Sequence, residues 1–145
     1  MKLKFVKDHK DAKIPSYATE GAAGFDLTSV ENTWIKTGER LVVSTGLRAE
    51  IPAGKEIQIR PRSGFAANNG VTVLNTPGTI DSDYKGIIKV ILINHGTESV
   101  IISVGDRIAQ GVFANVEQAE IIEGKPEDLS STLRGEGGLG STGTR

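Results

Sequence analysis

The chain has no cysteine among its 145 residues. That excludes disulfides, thiolate metal sites and a cysteine nucleophile, and it is compatible with a reducing cytoplasm, the expected location. Aromatic residues make up only 5%, so Ile, Val and Leu must build the core. Neither charge dominates: 17 Lys and Arg face 18 Asp and Glu, a net charge of −1. General nucleic-acid binding is therefore not expected, although a local cationic pocket stays open. Long apolar runs are missing as well. The longest, Ile87 to Ile93, is interrupted by Lys89 and falls far short of the ~20 residues that cross a bilayer, so no membrane partner is expected. Met1 to Lys7 alternates apolar residues with lysines and lacks the continuous apolar region of a secretory signal. The two histidines, His9 and His95, sit among turn and lysine residues and form neither a Ser/His/Asp order nor a His-x-x-x-His pair.

What the chain does have is many short strand-like segments. Leu3 and Phe5 alternate with lysines, and Phe25 and Leu27 flank Asp26, a period of two. Trp34 to Lys36, Leu41 to Val43 and Gly46 to Ala49 follow. Glu56 to Arg60 places its isoleucines inward, and Pro61 ends that pairing. Ser63 to Asn69 is the one expected helical turn, with Ser63 as its N-cap and Gly70 in the left-handed position past its end. Val71 to Leu74, Ile87 to Ile93, Ser99 to Val104, Ile108 to Ala114 and Ala119 to Ile122 complete the strands. This pattern predicts an all-β sandwich, barrel or jelly roll. Length allows one domain. We expect it to span residues 1–129, followed by an arm over 130–145. The last twelve residues include glycines at 135, 137, 138, 140 and 143 and cannot form a core of their own.

Five segments carry chemical potential. The stretch Gly78-Thr79-Ile80-Asp81-Ser82-Asp83-Tyr84-Lys85-Gly86 reads as the head of a β-hairpin. It holds Asp81 and Tyr84 on a stiff loop where a rigid scaffold meets solvent. In Pro61-Arg62-Ser63-Gly64, a guanidinium, a hydroxyl and the first N–H groups of a helix suit a phosphate; the competing reading is a capped surface turn. In Gly105-Asp106-Arg107-Ile108-Ala109-Gln110, a glutamine in an apolar strand needs either a ligand or an inter-strand hydrogen bond. Asp26, Asp81 and Asp83 are oxygen donors of the kind Mg²⁺ takes beside a phosphate, and each alone also reads as a turn residue. Gly135-x-Gly137-x-x-Gly140 matches the dinucleotide fingerprint by letter but has no strand before it and no helix after it. What remains is an arm rich in free N–H groups, with Arg134, Ser141 and Thr142, able to wrap a polyanion or to hang free.

Taken in order, Ala23-Gly24-Phe25-Asp26-Leu27, Pro61 to Gly64, Gly78 to Gly86, Gly105 to Gln110 and Arg134 to Gly143 resemble the five motifs of the trimeric deoxyuridine triphosphate nucleotidohydrolases, the dUTPases. Each motif is weak alone; five in sequence at family spacing are specific. The resemblance implies a jelly-roll homotrimer whose three active sites each draw on three subunits. It implies conversion of dUTP and water to dUMP and pyrophosphate, with Mg²⁺ on the triphosphate. That reaction keeps uracil out of DNA and supplies dUMP for thymidylate synthesis.

By position, Asp81 would activate the water and bond the 3′-OH, and Tyr84 would pack under the sugar and leave no room for a 2′-OH. The backbone near Asn75, Thr79, Ile80 and Lys89 would read the uracil edge. Arg62, Ser63, Gly64 and Gln110 would hold phosphates from another subunit, and Asp26 would touch Mg²⁺ through water. Arg134, Gly140, Ser141 and Thr142 would close near the phosphates, with Leu139 over the base. The family usually has Phe at that last position, so ring stacking is replaced by aliphatic cover. Ile87 likewise stands where a polar residue is usual. Two alternatives stay open at this level: a non-catalytic nucleotide-binding scaffold, and a dCTP deaminase of the same fold. The second needs a catalytic glutamate with an Arg-Ser-Ser segment, whereas Arg62-Ser63 here runs into Gly64-Phe65.

Overall fold

Alternation in the sequence becomes alternation in space. A computed structural model describes residues 1–143; positions 144 and 145 of the expected arm lie outside the described residues. In chain order the strands are β1 (Lys4–Lys7), β2 (Gly24–Thr28), β3 (Thr33–Ile35), β4 (Arg40–Ser44), β5 (Leu47–Glu50), β6 (Lys55–Arg60), β7 (Val71–Val73), β8 (Gly78–Ile80), β9 (Lys89–Asn94), β10 (Val100–Ile102) and β11 (Arg107–Asn115). One helix, α1 (Ser63–Asn69), lies between β6 and β7. A four-stranded sheet runs β2-β11-β6-β8 and a three-stranded sheet runs β4-β9-β7. Two-stranded ladders, β1-β5 and β3-β10, complete a jelly-roll-like sandwich in which the strand pairings are antiparallel.

Leu27 from β2, Ile57 from β6, Ile108 from β11, Val43 from β4, and Val90 and Leu92 from β9 are fully buried in one shared cluster. Complete burial of such a side chain stabilises the fold by about 1.5–3 kcal/mol, so aliphatic residues suffice where aromatics are few. Three aromatic residues gather beside β2. The Phe25 ring meets Phe5 and Tyr17 edge to face at 5.6 and 5.8 Å. Gly111 on the adjacent strand leaves room for that ring; a Cβ there would lie 2.6 Å from Phe25 Cζ.

Four sequence expectations change. The cap of α1 is Arg62, in extended conformation and without a side-chain cap bond, and Ser63 is the first helical residue; Gly70 does take the left-handed position, at φ 69°. Strand β9 begins at Lys89 rather than Ile87. The N–H of Ile88 donates to the Leu47 carbonyl, and its carbonyl accepts from Thr45, so Ile88 docks at the bend between β4 and β5 instead of extending the ladder. The Gly78–Gly86 stretch does not head a simple hairpin, because β8 pairs with β6 while β9 lies between β4 and β7. Residues 81–88 therefore cross from one sheet to the other. Finally, Ala119 to Ile122 is not a strand, and Ile121 is 96% exposed: an extended segment needs a partner edge, and this one has none within the chain among the described residues. Between Asn115 and residue 143 the only regular element is a 3-10 turn, Pro126–Asp128. No helix among the described residues is long and apolar enough to cross a membrane.

Candidate active site

Asp81 follows the last residue of β8 and opens a tight turn. The N–H of Tyr84 donates to the Asp81 carbonyl at 3.2 Å. Two longer side chains pin the turn. Lys85 Nζ donates to the Ser82 carbonyl at 2.8 Å and pairs with Glu50 on β5 at 3.0 Å. Tyr84 Oη donates to the Ile87 carbonyl at 3.0 Å, which lays the ring across Gly86. A Cβ on Gly86 would collide with the phenol and lie 2.6 Å from its Cζ, so any larger residue here would displace the ring.

The turn borders a cavity of about 260 Å³ that brings together Thr79, Ile80, Asp81, Tyr84 and Lys89, all singled out from the sequence. Val42, Ile87 and Ile91 complete its wall; none of them was singled out as a site residue. On its other side Asp81 borders a polar hollow of about 430 Å³ with Ser82, Asp83, Lys55 and Gln118. The carboxylate thus stands on a ridge between a nucleoside-sized cavity and a wetter hollow. Asn75 lies in the turn before β8 and is exposed; its amide sits against Gly78, where a Cβ would lie 3.2 Å from Nδ2.

A second cluster lies where β2, β11 and the end of β6 meet. Arg62 Nε donates to Asp26 Oδ1 at 2.8 Å, Arg107 Nη1 donates to Asp26 Oδ2 at 3.4 Å, and Arg62 Nη1 reaches the Arg107 carbonyl at 3.4 Å. Asp26 thus ties down two guanidiniums. Arg107 pairs with it across the ladder rather than with its neighbour Asp106, whose carboxylate accepts from the Ser103 N–H. Strand β11 is irregular between Arg107 and Ala109, so both Ile108 and Ala109 are buried and Gln110 turns outward. Gln110 Nε2 donates to the Pro61 carbonyl at 2.9 Å, the inter-strand satisfaction that the sequence left open against a ligand. Its Oε1 lies over Gly24, where any Cβ would clash. Ser63 and Gly64 are exposed on the first turn of α1, and the helix's first bond is Ala66 N–H to Arg62 carbonyl. The preceding N–H groups have no intrahelical partner.

Both Asp26 oxygens face guanidinium groups, and no cluster of three or more Asp, Glu or His occurs among the described residues. This donor set does not build a protein cage for Mg²⁺. It suits a cation that arrives on a polyanion and keeps its waters.

The two clusters sit at opposite ends of β6. Register places Ile80 opposite Ile57, which puts Asp81 beside Glu56 and Lys55. Arg62 lies six residues further along extended chain, about 20 Å at the rise of a strand. The arm joins neither cluster. Arg134 Nε donates to the Gly137 carbonyl at 2.8 Å, and Leu139, Gly140, Ser141 and Thr142 are exposed in successive turns. Leu139 takes φ 41°, a left-handed conformation that leucine rarely adopts.

A carboxylate on a rigid ridge, a pinned phenol, a guanidinium pair at a helix start and a glycine-rich tail form a set that can be compared with known proteins. The family model described as dUTPase matches residues 10–143. The chain is 61% identical over 143 residues to the deoxyuridine 5′-triphosphate nucleotidohydrolase of Nautilia profundicola, covering 99% of each. It is 57% identical to that of Wolinella succinogenes, covering 99% of this chain and 95% of the relative. Among solved structures, the Staphylococcus bacteriophage 80alpha dUTPase with dUPNHPP superposes at a TM-score of 0.89 with 25% identity, covering 98% of each chain. With the family model matched over residues 10–143, and a relative of nearly equal length sharing three residues in five, the chain belongs to the dUTPase family.

Proposed function

We propose that the protein hydrolyses dUTP to dUMP and pyrophosphate, at sites assembled from more than one copy of the chain in a homotrimer. The observation that carries this reading is the position of Asp81, an exposed carboxylate at the rim of a cavity walled by Thr79, Tyr84 and Lys89. Uracil lies in that cavity with its polar edge toward the backbone of β8 and the neighbourhood of Asn75 and Lys89. Tyr84 packs against the deoxyribose, and the ring's tether to Ile87 and Gly86 fixes the space left at C2′. A site built to pair with one base edge rejects a base with the reversed pattern by roughly 10⁴–10⁵, because its own buried groups are left unpaired.

Asp81 accepts the proton of a water that attacks the α-phosphorus. The new P–O bond forms as the bond to the β-bridging oxygen breaks, and pyrophosphate leaves. This step needs alignment and charge neutralisation more than covalent help. Arg62, Ser63, Gly64 and Gln110 supply donors to the phosphates, and each such donor is worth about 2.7–4 kcal/mol of barrier. Since Arg62 lies about 20 Å along extended chain from the residues beside Asp81, these donors come from a second copy. The exposed arm, with Arg134, Leu139, Gly140, Ser141 and Thr142, closes over a third contribution to the same site. A Mg²⁺ ion carried on the triphosphate would offset its charge, and Asp26 would be the residue to hold it through water.

The test is pyrophosphate release from dUTP, compared with dCTP, dTTP and UTP, by the wild-type protein and by Asp81→Asn. The wild type should act on dUTP alone, and the variant should keep its assembly mass while losing turnover. Turnover retained by Asp81→Asn removes the role given to that carboxylate, and ammonia release from dCTP would move the protein to the deaminases.

A further inference from the structure

The outer face of the β4-β9-β7 sheet breaks the usual rule for a solvated antiparallel face, which is polar on the outside. On it, Val42 of β4 stands directly opposite Ile91 of β9, flanked by the pairs Ser44–Lys89 and Arg40–Ile93. Val42 is 52% exposed, although its strand neighbour Val43 is fully buried. Ile91 is half-buried, so Val42 is the more exposed of the two. They border the same cavity as Thr79, Asp81, Tyr84 and Lys89, together with Ile87. The lining therefore combines polar groups with three aliphatic side chains from the crossing segment and the second sheet.

We propose that Val42 and Ile91 are binding residues, forming the apolar floor against which the flat face of the substrate's nucleoside packs. The assignment rests on the reading of the cavity as a nucleoside pocket. A pyrimidine ring and the C2′ methylene of a deoxyribose are apolar on their faces and polar only at their edges. Hydrogen bonds from the β8 backbone take the edge, and an aliphatic floor takes the face that they leave. The floor lies on the rigid ladder of two paired strands, so it is in place before substrate arrives and strengthens binding without an ordering cost. It is made by residues more than 45 positions apart in sequence, which is why no single motif contains it. It also accounts for the exposed valine: an uncovered aliphatic side chain beside a ligand cavity gains its burial when the ligand enters.

Val42→Thr keeps shape and volume but adds a hydroxyl, which on substrate binding would be buried with no partner. Under the proposal this variant raises KM for dUTP, and Kd for the imido analogue dUPNHPP by calorimetry, about five- to tenfold. The loss should appear in KM rather than kcat, as expected for contacts made equally in ground and transition states. Val42→Leu, which keeps the floor aliphatic, should stay within about threefold of the wild type. Assembly mass and melting temperature should be those of the wild type in both. A KM and Kd for Val42→Thr within twofold of wild type would overturn the floor assignment. So would a rise in KM that tracks dissociation of the assembly, since the face would then join copies of the chain instead of holding substrate. Wild-type protein that releases no pyrophosphate from dUTP would instead defeat the reading of the reaction itself, whatever happens at position 42.

Discussion

Replacing Gly86 with alanine isolates the contribution of the pinned phenol. Gly86 does not take a positive φ, so alanine fits the backbone. The added Cβ, however, would stand 2.6 Å from Tyr84 Cζ and 3.0 Å from Cε2, against about 3.5–4.0 Å for relaxed carbon contact. The ring must retreat by about 1 Å and release its bond to the Ile87 carbonyl. Losing that hydrogen bond costs about 0.5–1.5 kcal/mol, and the alanine recovers about 0.4–1 kcal/mol by restricting the unfolded chain. Because Tyr84 is already 43% exposed, little burial is lost, and Tm should move by no more than ~4 °C. Catalysis should respond far more, because a misplacement of about 1 Å at a reacting site costs roughly a hundredfold. Pyrophosphate release and thermal melting on one preparation would measure both, and UTP should gain on dUTP as the ring withdraws from C2′. A variant within threefold of wild-type turnover, or one that melts ~10 °C lower, would refute the claim that Gly86 serves the position of Tyr84 rather than the stability of the turn.

The remaining predictions concern the arm and the sharing of sites. Leu139→Phe restores a ring over the base, and stacking worth about 1–3 kcal/mol should tighten dUPNHPP roughly 5–150-fold in titration calorimetry; unchanged affinity would mean that position 139 does not cover the base. Deleting residues 134–145 should lower turnover by orders of magnitude with little change in Tm, because every described residue of that segment lies outside the core; surviving activity would dismiss the lid. Mixing and reassembling inactive Asp81→Asn and Arg62→Ala chains should restore about a quarter of wild-type activity, the share of sites in which an intact Asp81 meets an intact Arg62 from another copy. No recovery, with exchange of copies verified by mass, would place both residues in sites built by one chain.

Local chemistry was legible in the sequence where the rule that produces it is local. Alternation around Asp26 and between Glu56 and Arg60 specified which side chains turn inward, and Gly70 marked the helix end. Asp81 and Tyr84 were read from one short stretch that stays together in space, whereas Thr79, Ile80 and Lys89 were singled out only through the family resemblance. Non-local pairings were not legible. Asp26 holds Arg62 and Arg107, 36 and 81 positions away, and no period or spacing encodes such a choice. The hairpin reading failed because turn residues followed by an aliphatic run specify a reversal of direction but not the strand that receives it; β6 and β4 took the two partners. The expected strand at Ala119 to Ile122 has strand composition without an edge to pair with in this chain. Val42 was passed over because a valine in a strand is unremarkable until its exposure is known.

Strand β6 makes the division of the site a mechanical consequence of the fold. Ile57 and Ile59 face inward and are almost fully buried, and on either side the strand is paired, with β11 and with β8. It cannot bend to bring its ends together. One end fixes β8 and therefore Asp81; the other projects Arg62, which Asp26 and the Arg107 carbonyl hold in place. Under the proposed function, the chain carries a water-activating end and a phosphate-holding end that it cannot close upon one another. In the proposed assembly, joining copies would bring unlike ends together without deforming either, and Ile121, Ile122, Leu129 and Leu133, exposed aliphatic residues beyond β11, would be apolar surface open to burial. A substitution that loosens β6, such as Ile57→Ala, should therefore lower melting temperature and pyrophosphate release together, whereas Asp81→Asn or Arg62→Ala should lower pyrophosphate release with little change in melting temperature.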